Sequence, residues 1–145
     1  MTNNQYINEY KKTQETTNVV KSSHEVVRTL MKELVNSMNK IVLDIQDERK
    51  RKLDHIFLDK AFEEKNARHK SKNLSKSLSI IYGLQTSLDF DKALEISNNL
   101  FQLYEYCRQE IIKGFSQKIE GGILKAIDVI KKIMEGWEEI PSHER

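Results

Sequence analysis

Apolar residues in this chain recur at alternating steps of four and three, and that rhythm constrains the fold more than any other feature. Val27, Met31, Leu34, Met38, Ile41 and Ile45 follow it without a break, so they share one stripe of an α-helix. Val26, Leu30, Val35 and Val42 widen the stripe. Ser22 followed by Glu25 reads as a capping box that starts this helix. Three further stripes follow. The second is Leu74, Leu78, Ile81, Leu84 and Leu88, and the third is Ile96, Leu100, Leu103, Cys107, Ile111 and Gly114. The fourth is Ile123, Ile127, Ile130, Met134 and Trp137, with Pro141 just beyond it. A period near 3.6 cannot serve a strand, whose side chains alternate. Four helices on short connections predict an all-α, antiparallel up-down four-helix bundle. The expected layout is a flexible N-terminal arm over 1–21, a bundle over 22–140 and a tail over 141–145. Helices are expected at about 22–50, 58–88, 91–117 and 119–139, with a turn near Leu53 to Asp59.

Composition agrees with that layout. One proline and five glycines in 145 residues exclude collagen-like and linker-like chains and disfavour a many-turned sandwich. Charged residues at 32% and apolar residues at 38% suit amphipathic helices with wide solvated faces. A net charge of +2 selects no class of partner. A single cysteine allows no internal disulfide, and the polar start carrying Glu9 has no signal-peptide character, so a cytoplasmic setting is expected. The longest uncharged stretch, Ser77 to Leu88, is too short to span a bilayer.

Catalytic patterns are missing. His24, His55, His69 and His143 have no histidine or cysteine companion three or four residues away, and none belongs to a Glu-x-x-His pair, so no metal or cofactor is expected. Cys107 falls on a core stripe, as an inert buried thiol would. Gly121-Gly122 lacks the lysine and the preceding strand of a phosphate loop. The chain reads as a non-enzyme. The basic run Arg49-Lys50-Arg51-Lys52 is flanked by Asp47, Glu48 and Asp54 and reads as a solvated helix end, so no nucleic-acid partner is expected. The competing class is a helical adaptor that binds nucleic acid through the basic 49–76 segment, or a bundle that oligomerises through its own stripes.

What remains is apolar surplus. Phe101 and Ile112 fall off the third stripe, and Tyr104 and Tyr106 lie about 200° apart on the helix, so they cannot both face one core. Ile80 and Tyr82 flank the second stripe, while Val129, Ile133 and Ile140 form a second line beside the fourth. Either the core needs wide faces, or the excess lines a groove for an apolar helix of another protein.

Several stretches resemble the flagellin-specific secretion chaperones of the FliS family. Leu78-Ser-Ile-Ile-Tyr-Gly-Leu-Gln-Thr-Ser-Leu88-Asp is similar to the family's A-x-x-I-I-x-x-L-x-x-S-L-D. Asn99-Leu100-Phe-Gln-Leu-Tyr104-Glu-Tyr106-Cys resembles N-L-x-x-L-Y-x-Y-M, and Gly136-Trp137 falls where the family has A-W. Ser22-Ser23-His24-Glu25-Val26 is similar to S-P-H-E-L, and Ile7 with Tyr10 best matches an N-terminal Y-x-x-Y. Departures include Ser23 for a common proline, Cys107 for methionine and Glu110 for arginine, and 47–65 looks like added length. The resemblance implies a cytosolic, non-enzymatic helical bundle. It would bind the C-terminal segment of flagellin in apolar grooves, block premature polymerisation and deliver flagellin to the flagellar type III export gate. It implies partner-binding roles for Ile80, Ile81, Leu84, Phe101, Tyr104, Ile112 and Ile133, and a gate-facing role for Ile7 and Tyr10. Other flagellar regulators stay open as partners, and no membrane insertion is implied.

Overall fold

The computed structural model describes residues 23–54 and 59–139. These form four helices: α1 (Ser23–Leu53), α2 (Lys60–Thr86), α3 (Leu94–Gln117) and α4 (Gly121–Glu139). There is no strand among the described residues. Ile7, Tyr10, Ser22, His55, Ile140, Pro141 and His143 lie outside them.

The helices form a closed ring in which α1 packs on α2, α2 on α3, α3 on α4, and α4 back on α1, while α1 and α3 barely touch across the diagonal. Every neighbouring pair is antiparallel. On the α1–α2 side, Lys76 pairs with Glu33 and Lys70 with Glu48. On the α1–α4 side, Arg28 pairs with Glu138 and Arg49 with Glu120.

Local chemistry sets the helix ends. The Asp59 carboxylate accepts from Phe62 N at 2.7 Å, which satisfies one of the amides left free at the start of α2. Between α2 and α3, Asp89 folds the chain back. Its Oδ1 accepts from the backbone N of Asp91 and Lys92, and its carbonyl takes the Ser97 hydroxyl. α3 stops at Lys118, whose φ of 56° is left-handed, and the amides of Lys118 and Ile119 both return to the Gly114 carbonyl. Ile119, read from the sequence as opening the last helix, stands exposed in the connection before Gly121.

The core collects Met31, Leu34, Met38, Ile41 and Ile45 from α1 with Ile81 and Leu84 from α2. Tyr104, Cys107 and Ile111 from α3 and Ile123, Ala126, Ile127 and Ile130 from α4 join them, with Val35, Val42 and Ile80 at the edges. Two stripes need correction. On α2, Leu74 and Leu78 are only half-buried, and the inward line is Asn73, Ser77, Ile81 and Leu84. On α3, Ile96 and Leu103 are exposed, and the buried line is Ser97, Tyr104, Cys107, Ile111 and Gly114. Both α3 stripes fit the period, and the difference is a rotation of the helix. α2 lies against the Tyr104 side, because Gln85 Nε2 donates to the Phe101 carbonyl and to Glu105 Oε1. That contact draws Tyr104 inward and turns Leu103 outward.

Candidate functional site

α3 presents two outer flanks. On the α2 side stand Phe101, half-buried, and Ile112, 36% exposed. On the α4 side stand Leu103 and Tyr106, 39% and 37% exposed. Glu110 shares that second flank, its side chain filling the space beside Gly122 of α4. Across from Leu103 and Tyr106, α4 offers half-buried Val129 and Ile133, both packed on the core, and Gly136 with open space beside its Cα. Gly122, Val129, Ile133 and Gly136 follow helical spacing, so they line one edge. Leu103, Tyr106, Val129 and Ile133 thus stand along the α3–α4 seam as an apolar strip.

The residues expected to bind a partner therefore separate. Ile80, Ile81, Leu84 and Tyr104 are buried in the core rather than open to a surface. The reason is positional: α2 lies between α1 and α3, so its two adjacent stripes are both covered. Burial also pushes the Tyr104 hydroxyl up to about 12. Phe101 and Ile112 stand on the α2 side of α3 and Ile133 beside its other flank, while Ile7 and Tyr10 lie outside the described residues. The spacing counts Leu103 with the core stripe, which it fits equally well, and Tyr106 belongs to the apolar surplus but not to the residues expected to bind a partner.

Three polar clusters hold the ring. In the first, His24 stacks on Trp137 with ring centroids 5.2 Å apart and planes 5° from parallel. Trp137 Nε1 donates to the His24 carbonyl at 3.1 Å, and His24 Nε2 lies 3.2 Å from the Trp137 carbonyl. His24 is thus a buried clasp between the first and last helices. In the second, Arg49 reaches Glu120 with both nitrogens, at 2.7 and 2.5 Å. Arg51 lies 4.1 Å above the Phe62 ring. The basic run, read as a solvated end, thus fastens α1 to its neighbours.

The third cluster centres on Glu48. Its Oε2 meets Lys70 Nζ at 3.1 Å, and its Oε1 meets Lys118 at 3.0 Å and Lys52 at 3.3 Å. Burial alone would raise the Glu48 carboxyl, but hydrogen bonds from Lys118 and Lys70 and their charges outweigh it and hold it at about 2. Elsewhere, Arg108 and Gln85 hold Glu105 near 2. Burial, with Glu110 nearby, pushes the Cys107 thiol up to about 12, which leaves it protonated and unreactive. No group of three His, Cys, Asp or Glu side chains among the described residues is placed to hold a metal ion. No described helix is long and apolar enough to cross a membrane.

Comparison with known proteins bears on this arrangement. The chain is 28% identical over 81 residues to the flagellar secretion chaperone FliS of Vibrio cholerae, covering 56% of this chain and 60% of that protein. It is 32% identical over 72 residues to the flagellar secretion chaperone FliS of Salmonella typhimurium, covering 49% of this chain and 53% of that protein. The matched stretches thus span somewhat over half the length of these relatives, and neither name is that of an enzyme. No solved structure matches the chain. The family described as flagellar protein FliS matches residues 4–144. With nearly its whole length matched, the chain belongs to the FliS family.

Proposed function

We propose that this protein is a flagellar secretion chaperone that acts in the cytoplasm. It binds the C-terminal segment of flagellin, prevents premature polymerisation and delivers flagellin to the type III export gate. The observation that carries the proposal is the family match over residues 4–144. The open apolar surface on both flanks of α3 supports it. A client segment with one apolar stripe could lay it along the α3–α4 seam against Leu103, Tyr106, Val129 and Ile133, and become helical there. A second stretch would fit along Phe101 and Ile112. Ordering a flexible client opposes binding and moderates the affinity, which allows release at the gate without a covalent step. Ile7 and Tyr10 are assigned to gate docking.

Calorimetry with a flagellin C-terminal peptide tests the reading. Micromolar binding, accompanied by a gain of helical circular dichroism, is expected. A well-folded protein that leaves the peptide unbound refutes it. Deleting Met1 to Tyr10 should preserve the fold and reduce export, and normal motility in that strain would contradict the role of the arm.

A further inference from the structure

At the end of the bundle where α1 stops, the C-terminal turns of α1 and α3 and the first half of α2 enclose a cleft of about 500 Å³. That volume falls within the range of about 300–1,000 Å³ typical of ligand sites, and it is far from enough for a whole helix. Phe62, Ala67 and Phe115 give it an apolar wall, and Lys52, Lys70, Lys118, Glu48 and Glu63 give it charge. The lysines are not equivalent. The Lys70 side chain is only 7% exposed and holds one oxygen of Glu48, whereas those of Lys52 and Lys118 are 57% and 55% exposed and share the other oxygen. A single carboxylate oxygen cannot saturate two ammonium groups with three donors each. Lys118 also occupies a left-handed backbone position, which glycine would fill without strain, and from there its side chain reaches the cleft.

We propose that this cleft binds a short acidic peptide segment of a protein partner, with a carboxylate bridging Lys52 and Lys118 and a neighbouring aromatic or aliphatic side chain lying against Phe62 and Phe115. Lys70 stays on Glu48 and keeps the floor of the cleft neutral, while the two outer ammonium groups supply charge-assisted hydrogen bonds to the incoming anion. The site lies away from the apolar strip on the α3–α4 seam and does not depend on it.

The test uses the full-length ¹⁵N-labelled protein, titrated by NMR with three probes at matched ionic strength. These are the blocked tripeptide acetyl-Glu-Phe-Glu-amide, its acetyl-Gln-Phe-Gln-amide counterpart and sodium phosphate. The acidic peptide should shift the amides of Phe62, Ala67, Phe115 and Lys118 saturably below about 10 mM, and the neutral one should bind about tenfold more weakly or not at all. The double variant K52Q/K118Q should lose the same factor with an otherwise unchanged spectrum. Equal binding of both peptides overturns the proposal, as does an absence of saturable shifts. Identical shifts from phosphate alone would make this a small-anion site and refute the peptide reading. The two-peptide comparison needs no variant, so it decides the question even if the double substitution disturbs the fold.

Discussion

Replacing glycine by alanine at two positions should move stability in opposite directions. Gly83 and Gly114 both lie inside helices, where alanine is intrinsically better by about 1 kcal/mol. At Gly83 a new Cβ meets nothing within 4 Å, so the intrinsic preference should appear almost undiminished, at about 0.5–1 kcal/mol of stabilisation. At Gly114 the same carbon would lie 2.6 Å from both Cγ1 and Cδ1 of Ile123 and 2.7 Å from the Ile119 carbonyl oxygen. Neither obstacle yields easily. Ile123 is fully buried in a filled core, and Ile119 belongs to the turn that closes on the Gly114 carbonyl. Overpacking of this kind costs about 1–3 kcal/mol, and with a rigid neighbour on each side the upper half of that range applies. Subtracting the propensity gain leaves a net loss of about 1–2 kcal/mol. Urea denaturation followed by circular dichroism measures both variants. Adding Ile123→Val, which deletes Cδ1, should give G114A back part of its loss. A G114A protein as stable as the parent would show that α3 and α4 can separate at no cost, and would refute the close approach described here.

Other expectations are simpler to check. Glu48 titrates near 2 in the folded protein, below its ordinary value of 4.5, so its contribution is complete above about pH 4.5 and fades as the pH falls toward 2. E48Q should therefore be less stable at neutral pH and show a flatter decline over that acid window, measured as urea midpoints against pH. Cys107 should resist Ellman's reagent at pH 8 in the native state and react fully in denaturant, and rapid native labelling would contradict its burial. Trp137→Phe removes the indole donor to the His24 carbonyl and should cost about 1 kcal/mol, read from the denaturation midpoint. Leu103→Asp should weaken flagellin-peptide binding by at least about tenfold while leaving the circular dichroism spectrum unchanged, because this side chain lies outside the core.

Much of the fold was legible because apolar spacing reports directly on burial. All of α1's stripe from Met31 to Ile45 is buried where the period places it, and so are Ile123, Ile127 and Ile130 of α4. The first half of α2 was illegible for the opposite reason. There Asn66, Lys70 and Asn73 are the buried residues, and no apolar period marks them. Lys70 on Glu48 and Asn66 Nδ2 on the Asp44 carbonyl pack through polar bonds that depend on what α1 presents, while Asn73 Nδ2 turns back to the His69 carbonyl of its own helix. The surface candidates were only half legible. A helical period shows how wide an apolar band is but not which of its edges a neighbour covers. Tyr104 and Leu103 were therefore indistinguishable until α2 was seen to lie on the Tyr104 side. The pairing of Arg49 with Glu120 spans 71 residues, a separation at which a sequence holds no local signal.

The clasp of His24 on Trp137 joins positions 113 residues apart. Such a contact carries the largest loop-closure entropy among those of the described residues, so it should form late in folding and open early in unfolding. During synthesis the last turn of α4 emerges after the other helices, and until then α1 has an uncovered apolar side. Trp137 is also the sole tryptophan of the chain. Its fluorescence therefore serves as a built-in clock for ring closure, distinct from the helix content that circular dichroism follows.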